Sequence, residues 1–214
     1  MKNSIANSND AHFIPSDDVA PVVVAIASSA GGLNALIQVL SGLPADLPAA
    51  IAVVQHLSPH YRSQMAEILN QRTALSVKEA ETGDQLKPGW VFIAPPDHHL
   101  LVNSDGALML NQAAKVHFSR PAANILFKSI AEKYKERAIA IVLTGRDSDG
   151  ATGSQTIKQR GGIVIAQDEA TSKFFSMPNA AIQTGFVDFV LPLADISTAL
   201  GRLVMQKVAQ RTVE

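Results

Sequence analysis

The sequence predicts an α/β fold, a doubly wound and mainly parallel sheet with helices on both faces. Two observations carry that reading. Short, continuous runs of β-prone apolar residues alternate along the chain with segments whose apolar residues recur at helical spacing. Within the runs there is no apolar–polar alternation, the pattern of strands buried on both faces. A third observation adds a detail: residues 77–110 are rich in Pro–Gly and Asn–Gly-type turns and break the rhythm.

The first buried run is Val22-Val23-Val24-Ala25-Ile26-Ala27. Gly31-Gly32 follows, and Leu33, Leu36, Val39 and Leu40 then recur at helical spacing until Pro44 and Pro48 close the helix. Ile51-Ala52-Val53-Val54 is the second strand, and residues 60–71 read as a helix with Met65, Ile68 and Leu69 on one side. Between 77 and 110, Pro88-Gly89, Pro95-Pro96 and the turn Asn103-Ser104-Asp105-Gly106 separate short apolar runs. Short strands and a small antiparallel hairpin are expected there instead of a crossover helix.

The βα rhythm then resumes. Residues 123–134 read as a helix, 138–143 as a strand, and a further helix opens after Gly150. Residues 162–166 and 187–191 are two more strands. The last helix starts at Pro192, whose missing N–H would have no partner in a first turn anyway, and carries Leu193, Ile196, Leu200, Leu203 and Val204 inward. Strands joined by helices make the whole Rossmann-like. The expected organisation is a flexible polar tail over residues 1–18, one domain over 19–208 and a C-terminal tail over 209–214.

Composition narrows the function. Hydrophobic residues are 47% and charged residues 17% of the chain, which supports a buried core and argues against global disorder. Eighteen Lys and Arg nearly balance 19 Asp and Glu, so no broad nucleic-acid surface is expected. The absence of cysteine excludes disulfides, thiolate zinc sites and thiol catalysis. The longest apolar stretch, residues 19–27, is interrupted by Pro21 and is too short to span a bilayer. The N-terminal residues lack the apolar core of a secretory signal. A cytoplasmic protein without membrane insertion is expected, with a monomer as the default.

In open α/β sheets ligands bind beyond the C-terminal ends of the strands. After Ala27 come Ser28, Ser29, Ala30, Gly31 and Gly32; after Val54 come Gln55 and His56; after Leu143 come Thr144, Gly145, Arg146, Asp147, Ser148, Asp149 and Gly150. Three strand ends thus deliver a hydroxyl, an imidazole and a carboxylate: a nucleophile, a base for its proton and an acid to orient the base. Each piece also has an ordinary reading. A serine before Gly-Gly is commonly a helix cap, Asp-Ser-Asp-Gly is common turn chemistry, and a single histidine at a strand end is common. Their coincidence at one sheet edge favours the triad. Spacing alone does not choose between Ser28 and Ser29, or between Asp147 and Asp149.

These segments resemble the catalytic domain of the bacterial chemotaxis methylesterases, the CheB family. The matching stretches are Ile26-Ala27-Ser28-Ser29-Ala30-Gly31-Gly32, Val54-Gln55-His56 and Leu143-Thr144-Gly145-Arg146-Asp147-Ser148-Asp149-Gly150-Ala151. Supporting matches are Ile93-Ala94-Pro95-Pro96-Asp97-His98-His99, Arg120-Pro121, Ala166-Gln167-Asp168-Glu169-Ala170 and Ser176-Met177-Pro178. The resemblance covers roughly residues 21–200. It selects Ser29 as nucleophile, His56 as base and Asp149 as acid. It assigns oxyanion and substrate positioning to Arg146, Ala30 and Gly31, with the backbone N–H of Arg146 as an oxyanion donor. The implied reaction is hydrolysis of glutamate γ-methyl esters on the cytoplasmic helices of methyl-accepting chemoreceptors, with deamidation of receptor glutamines as related chemistry. It implies no cofactor and no metal. An unperturbed His56 would titrate near ~6.5, and turnover would fall as the pH drops through that value.

The sequence departs from the family pattern at three places. Ala30 stands where a Thr commonly follows the nucleophile, Arg146 where Met is frequent, and Ala122 and Asn124 replace frequent Ser and Asp. Typical members also carry an N-terminal receiver domain, and only a short tail precedes the first strand here, so phosphorylation control in cis is expected to be absent. Three alternatives remain: a non-catalytic CheB-like interaction module, a phosphate loop at residues 28–32, and a metal site from His56-x-x-x-His60 or His98-His99. The phosphate loop lacks the glycine spacing of nucleotide folds, and the metal site lacks a third ligand.

Overall fold

The computed structural model describes residues 19–56, 63–116 and 118–211. In chain order the elements are β1 (Val22–Ser28), α1 (Gly32–Ser41), β2 (Ala49–Gln55), α2 (Met65–Asn70), β3 (Ser76–Glu79), β4 (Trp90–Ile93), β5 (His99–Val102), β6 (Leu108–Asn111), α3 (Ala123–Tyr134), β7 (Ala138–Val142), α4 (Ala151–Gln159), β8 (Ile163–Gln167), α5 (Ser176–Gln183), β9 (Phe189–Leu191) and α6 (Leu193–Arg211). Seven strands form one sheet in the order β3-β4-β2-β1-β7-β8-β9. Every neighbouring pair in it is parallel. β5 and β6 form a separate antiparallel hairpin in which His99 faces Asn111. The expected doubly wound, Rossmann-like sheet with a small hairpin is therefore the fold.

Alternation along the central strands divides the core by side-chain size. One face shows Val23, Ala25 and Ala27 of β1, Ala50 and Ala52 of β2, and Ala138 and Ala140 of β7, under Leu126, Phe127, Ile130 and Tyr134 of α3. The other shows Val24 and Ile26, Ile51 and Val53, and Ile139 and Ile141, packed on Leu36, Val39 and Leu40 of α1 and Ile196, Leu200 and Val204 of α6. Small strand residues let α3 lie close and fill the space with its own bulky side chains. Burial of a Leu, Ile or Phe of this kind is worth about 1.5–3 kcal/mol, so the two faces supply much of the force that holds the sheet flat against its helices.

The structure differs from the sequence expectation in four places. The helix expected over 60–71 is α2, Met65–Asn70, and residues 57–62 lie outside the described residues. β3 and β4 join the main sheet in parallel, although the connection 80–89 holds no helix. That connection is tied down instead: Gly83 N–H donates to Leu108 C=O and Leu108 N–H to Asp84 C=O, which lays it across the hairpin. α5 was not expected; it is eight residues long and offers only Met177, Pro178 and Ala181 to the core, too few for a helical stripe. α6 runs on to Arg211, past position 208, where the sequence reading ends the domain. Among the described residues no helix is long and apolar enough to cross a membrane.

Candidate active site

The order β2-β1-β7 puts the three sequence-selected strand ends side by side. β1 connects to β2 on one flank and pairs with β7 on the other, so the chain reverses its winding direction there, the position at which sheets of this kind bind ligands. The backbone ladder continues beyond the strands: His56 N–H donates to Ser28 C=O at 3.1 Å, and Ser29 N–H donates to Thr144 C=O at 3.0 Å.

Gln55 gives the two serines different surroundings. Ser28 is fully buried and its hydroxyl donates to Gln55 Oε1 at 2.7 Å, while Gln55 Nε2 donates to the carbonyls of Ser29 (2.7 Å) and His56 (3.1 Å). Ser29 is half-buried, and its hydroxyl makes no hydrogen bond among the described residues. Nor does it cap α1, whose N-cap is Gly31 with φ 81°, a left-handed conformation that suits glycine. The side chain of Ser29 lies against the loop after β7, since a Cβ on Gly145 would stand 2.9 Å from its own Cβ.

Asp149 is 1% exposed, yet its carboxylate is fully provided with donors. Oδ2 faces His56 Nε2 at 2.9 Å and accepts from Ala123 N–H at 2.5 Å; Oδ1 accepts from the N–H of Asn124 (2.9 Å) and of Gly150 (3.0 Å). The first-turn N–H groups of α3 would otherwise lack partners, and the positive end of the helix favours a carboxylate there. Asn124 returns the arrangement to α4: its Oδ1 accepts from Gly150 N–H (3.1 Å) and Gly153 N–H (2.7 Å). Each helix start is thus capped by a side chain from the other.

His56 meets a second carboxylate. Its Nδ1 lies 2.9 Å from Asp147 Oδ2, opposite the 2.9 Å contact of Nε2 with Asp149. Burial of the ring disfavours its charge and is the largest single influence. The hydrogen bonds and charges of Asp147 and Asp149 together outweigh it, and raise His56 from 6.5 to about 9. The ordinary value near 6.5 expected from the sequence is therefore corrected. Both contacts are hydrogen bonds only when both ring nitrogens carry hydrogen, which describes an imidazolium.

The structure brings His56 and Asp149 together and places Ser29 after the neighbouring strand end, but Nδ1 of His56 is engaged by Asp147 and not by Ser29. The Arg146 guanidinium lies over the Phe174 ring at 4.1 Å, with Lys173 Nζ at 6.0 Å from the same ring. The N–H groups of Ala30, Gly31 and Arg146 make no hydrogen bond among the described residues, whereas Gly145 N–H is taken by Phe174 C=O at 2.9 Å. Thr144 Oγ1 donates to Ala30 C=O at 3.0 Å and fixes the turn after Ser29. Sequence reasoning missed the clamp by Gln55, the cap by Asn124 and the contact of Asp147 with His56. The available signals were a buried amide at a strand end, an Asn in a helix first turn, and an acid two residues before the buried one.

The alternative sites look different. His99 is buried and uses both ring nitrogens on backbone, Nε2 with Ala114 C=O at 3.1 Å and Nδ1 accepting from Ala122 N–H at 3.2 Å. His98 Nδ1 meets Pro96 C=O at 3.0 Å, and His60 lies outside the described residues. Among the described residues no group of three or more His, Cys, Asp or Glu is arranged to hold a metal ion.

Comparison with known proteins gives a consistent result. The family model for CheB methylesterase matches residues 24–200. A protein-glutamate methylesterase/protein-glutamine glutaminase of Moorella thermoacetica is 43% identical over 186 residues, covering 85% of this chain and 44% of that protein. A putative protein of the same description from Leptospira interrogans is 37% identical over 188 residues, covering 88% of this chain and 97% of that protein. The crystal structure of the Thermotoga maritima CheB methylesterase catalytic domain superposes with a TM-score of 0.81 at 39% identity, covering 86% of this chain and 98% of that one. The chain spans about half the length of the Moorella and Symbiobacterium relatives, 44% and 50%.

Proposed function

The chain belongs to the CheB methylesterase family, and on that premise we propose that it is a serine hydrolase acting on glutamate γ-methyl esters of chemoreceptor helices. The catalytic unit in this reading is the α/β domain over residues 19–211, with the boundary expected at 208 moved to the end of α6. The observation that carries it is the buried Asp149 carboxylate on His56 at the strand end next to Ser29.

In this reading neutral His56 accepts the Ser29 hydroxyl proton as the oxygen attacks the ester carbonyl. The oxyanion is held by backbone N–H groups, with those of Arg146, Ala30 and Gly31 available; one such donor is worth about 3–4 kcal/mol of barrier. His56 returns the proton to the departing methoxide, and methanol leaves an acyl-enzyme. Water then attacks, assisted by the same base, and releases the glutamate carboxylate with the Ser29 hydroxyl restored. Asp149 orients the ring and stabilises the imidazolium. The names of the relatives extend the reading to glutamine, where ammonia takes the place of methanol as the leaving group.

The deciding experiment measures methanol release from a methylated chemoreceptor fragment by wild type and Ser29→Ala. Release by wild type alone is the expected result. Equal release by both would overturn the nucleophile, and release by neither, with both folded, would favour a different acyl substrate or a non-catalytic interaction module.

A further inference from the structure

We propose that Asp147 is a positioning residue that competes with Ser29 for Nδ1 of His56 and keeps the base disengaged until it lets go of the ring. The inference rests on the catalytic reading above and adds a residue to it. A base for Ser29 needs one bare ring nitrogen directed at the hydroxyl. Nε2 is committed to Asp149, which three backbone N–H groups hold in place, so the free nitrogen has to be Nδ1. Asp147 Oδ2 stands 2.9 Å from it.

Two properties of Asp147 suit it to leave. Its side chain is 37% exposed, whereas Asp149 is 1% exposed, so water can replace the imidazole as its partner. Its other oxygen, Oδ1, accepts from Asp149 N–H at 2.8 Å, which leaves the turn anchored while Oδ2 swings. The exchange is coupled to a proton. While Nδ1 carries hydrogen it donates to Asp147; once that hydrogen is lost, the nitrogen lone pair faces a carboxylate and the contact becomes repulsive, whereas a serine hydroxyl can donate to it.

Among the described residues, the charged groups acting on the ring are Asp147 and Asp149, both from the loop after β7. α3 contributes only the backbone N–H groups of Ala123 and Asn124, directed at Asp149. The nearby cations Arg146 and Lys173 lie against Phe174. With His56 titrating at about 9, on the order of 1% of the imidazole is neutral at pH 7.

The test follows His56 and Ser29 separately. Histidine side-chain NMR reports the His56 midpoint, with its signal assigned by loss in His56→Gln. Labelling of Ser29 by a fluorophosphonate, with Ser29→Ala as the blank, reports its nucleophilicity against pH without relying on any ester substrate. Asp147→Ser keeps a short acceptor for Asp149 N–H but cannot reach His56; Asp147→Asn keeps the shape and removes the charge. The expected result is a His56 midpoint at least about one unit lower in both variants, with Ser29 labelling at pH 7 about tenfold faster in Asp147→Ser. An unchanged midpoint in both overturns the proposal, and so does a shifted midpoint with unchanged labelling. If midpoint and labelling shift together but no protein releases methanol, the role of Asp147 stands and the proposed substrate falls.

Discussion

Ser28 donates its hydroxyl to Gln55 across 2.7 Å within the buried end of the sheet, and that bond sets it apart from the adjacent Ser29, whose hydroxyl makes no hydrogen bond among the described residues. Ser29→Ala is expected to abolish methanol release and to shift stability by no more than about 0.5 kcal/mol. Ser28→Ala is expected to retain turnover and to cost about 1–2 kcal/mol, because Gln55 Oε1 is left buried without its donor. Denaturant melts and methanol assays on the pair check both; the reverse pattern would move the nucleophile to Ser28.

The same clamp explains why position 32 is glycine. A Cβ there would stand 2.0 Å from Gln55 Oε1 and 2.8 Å from Ser28 Cβ. Gln55 cannot yield cheaply, since its amide is held on three sides. Gly32→Ala is expected to destabilise by about 1–3 kcal/mol and to lower turnover by displacing Ser29, as seen in a melt and a rate measured side by side.

Asp149→Asn replaces an oxygen that accepts by an amide that donates. Whichever way the amide turns, it opposes either His56 and Ala123 N–H or Asn124 and Gly150 N–H. Turnover should fall by a factor on the order of 10⁴, the size seen for the equivalent change in other triads, with a stability loss of about 1–3 kcal/mol. Should Asp147→Asn prove the more damaging change, the supporting acid is Asp147.

Stability should depend on pH through His56. Its folded value, about 9, exceeds the unfolded 6.5, so the folded protein holds the proton more tightly. The contribution is fully present below pH 6.5 and is lost as the pH rises through 9; the shift corresponds to about 3 kcal/mol. Urea unfolding at pH 6 and pH 9.5, with His56→Gln as the reference, should show the difference in wild type alone. A wild-type difference no larger than the reference would remove the carboxylate pair as its source.

Arg146→Ala keeps the backbone N–H and removes the cation over Phe174. It should cost at most about 1 kcal/mol of stability and leave kcat near wild type. If the side chain meets acidic receptor surface, KM should rise and its salt dependence weaken; an unchanged KM at low salt would exclude that role.

The fold was legible where burial writes directly into sequence. β1, β2, β7 and β8 lie inside the sheet, so both faces of each had to be apolar. What stayed hidden depends on contacts between distant segments. The parallel direction of β3 against β4 is set by a loop bonded to the hairpin, and α5 is held by two or three buried side chains with no stripe to announce it. At the candidate site the strand-end logic brought Ser28 and Ser29, His56, and Asp147 and Asp149 to one edge, and the family resemblance chose Ser29 and Asp149 among them; in the structure Asp149 is buried and Asp147 is 37% exposed. That Asp147 lies on the imidazole could not be read from sequence, because it depends on how the turn between β7 and α4 folds back over β2.

β1 enters the sheet at Val22 and ends at Ser28, a run of seven residues or about 20 Å. The chain therefore enters β1 at the rim of the sheet farthest from Ser29. Reaching round to the serine would take a tether of at least about six extended residues. The 21 residues that precede Val22 exceed that length, so a segment joined ahead of them has enough chain to reach the Ser29 end of the sheet.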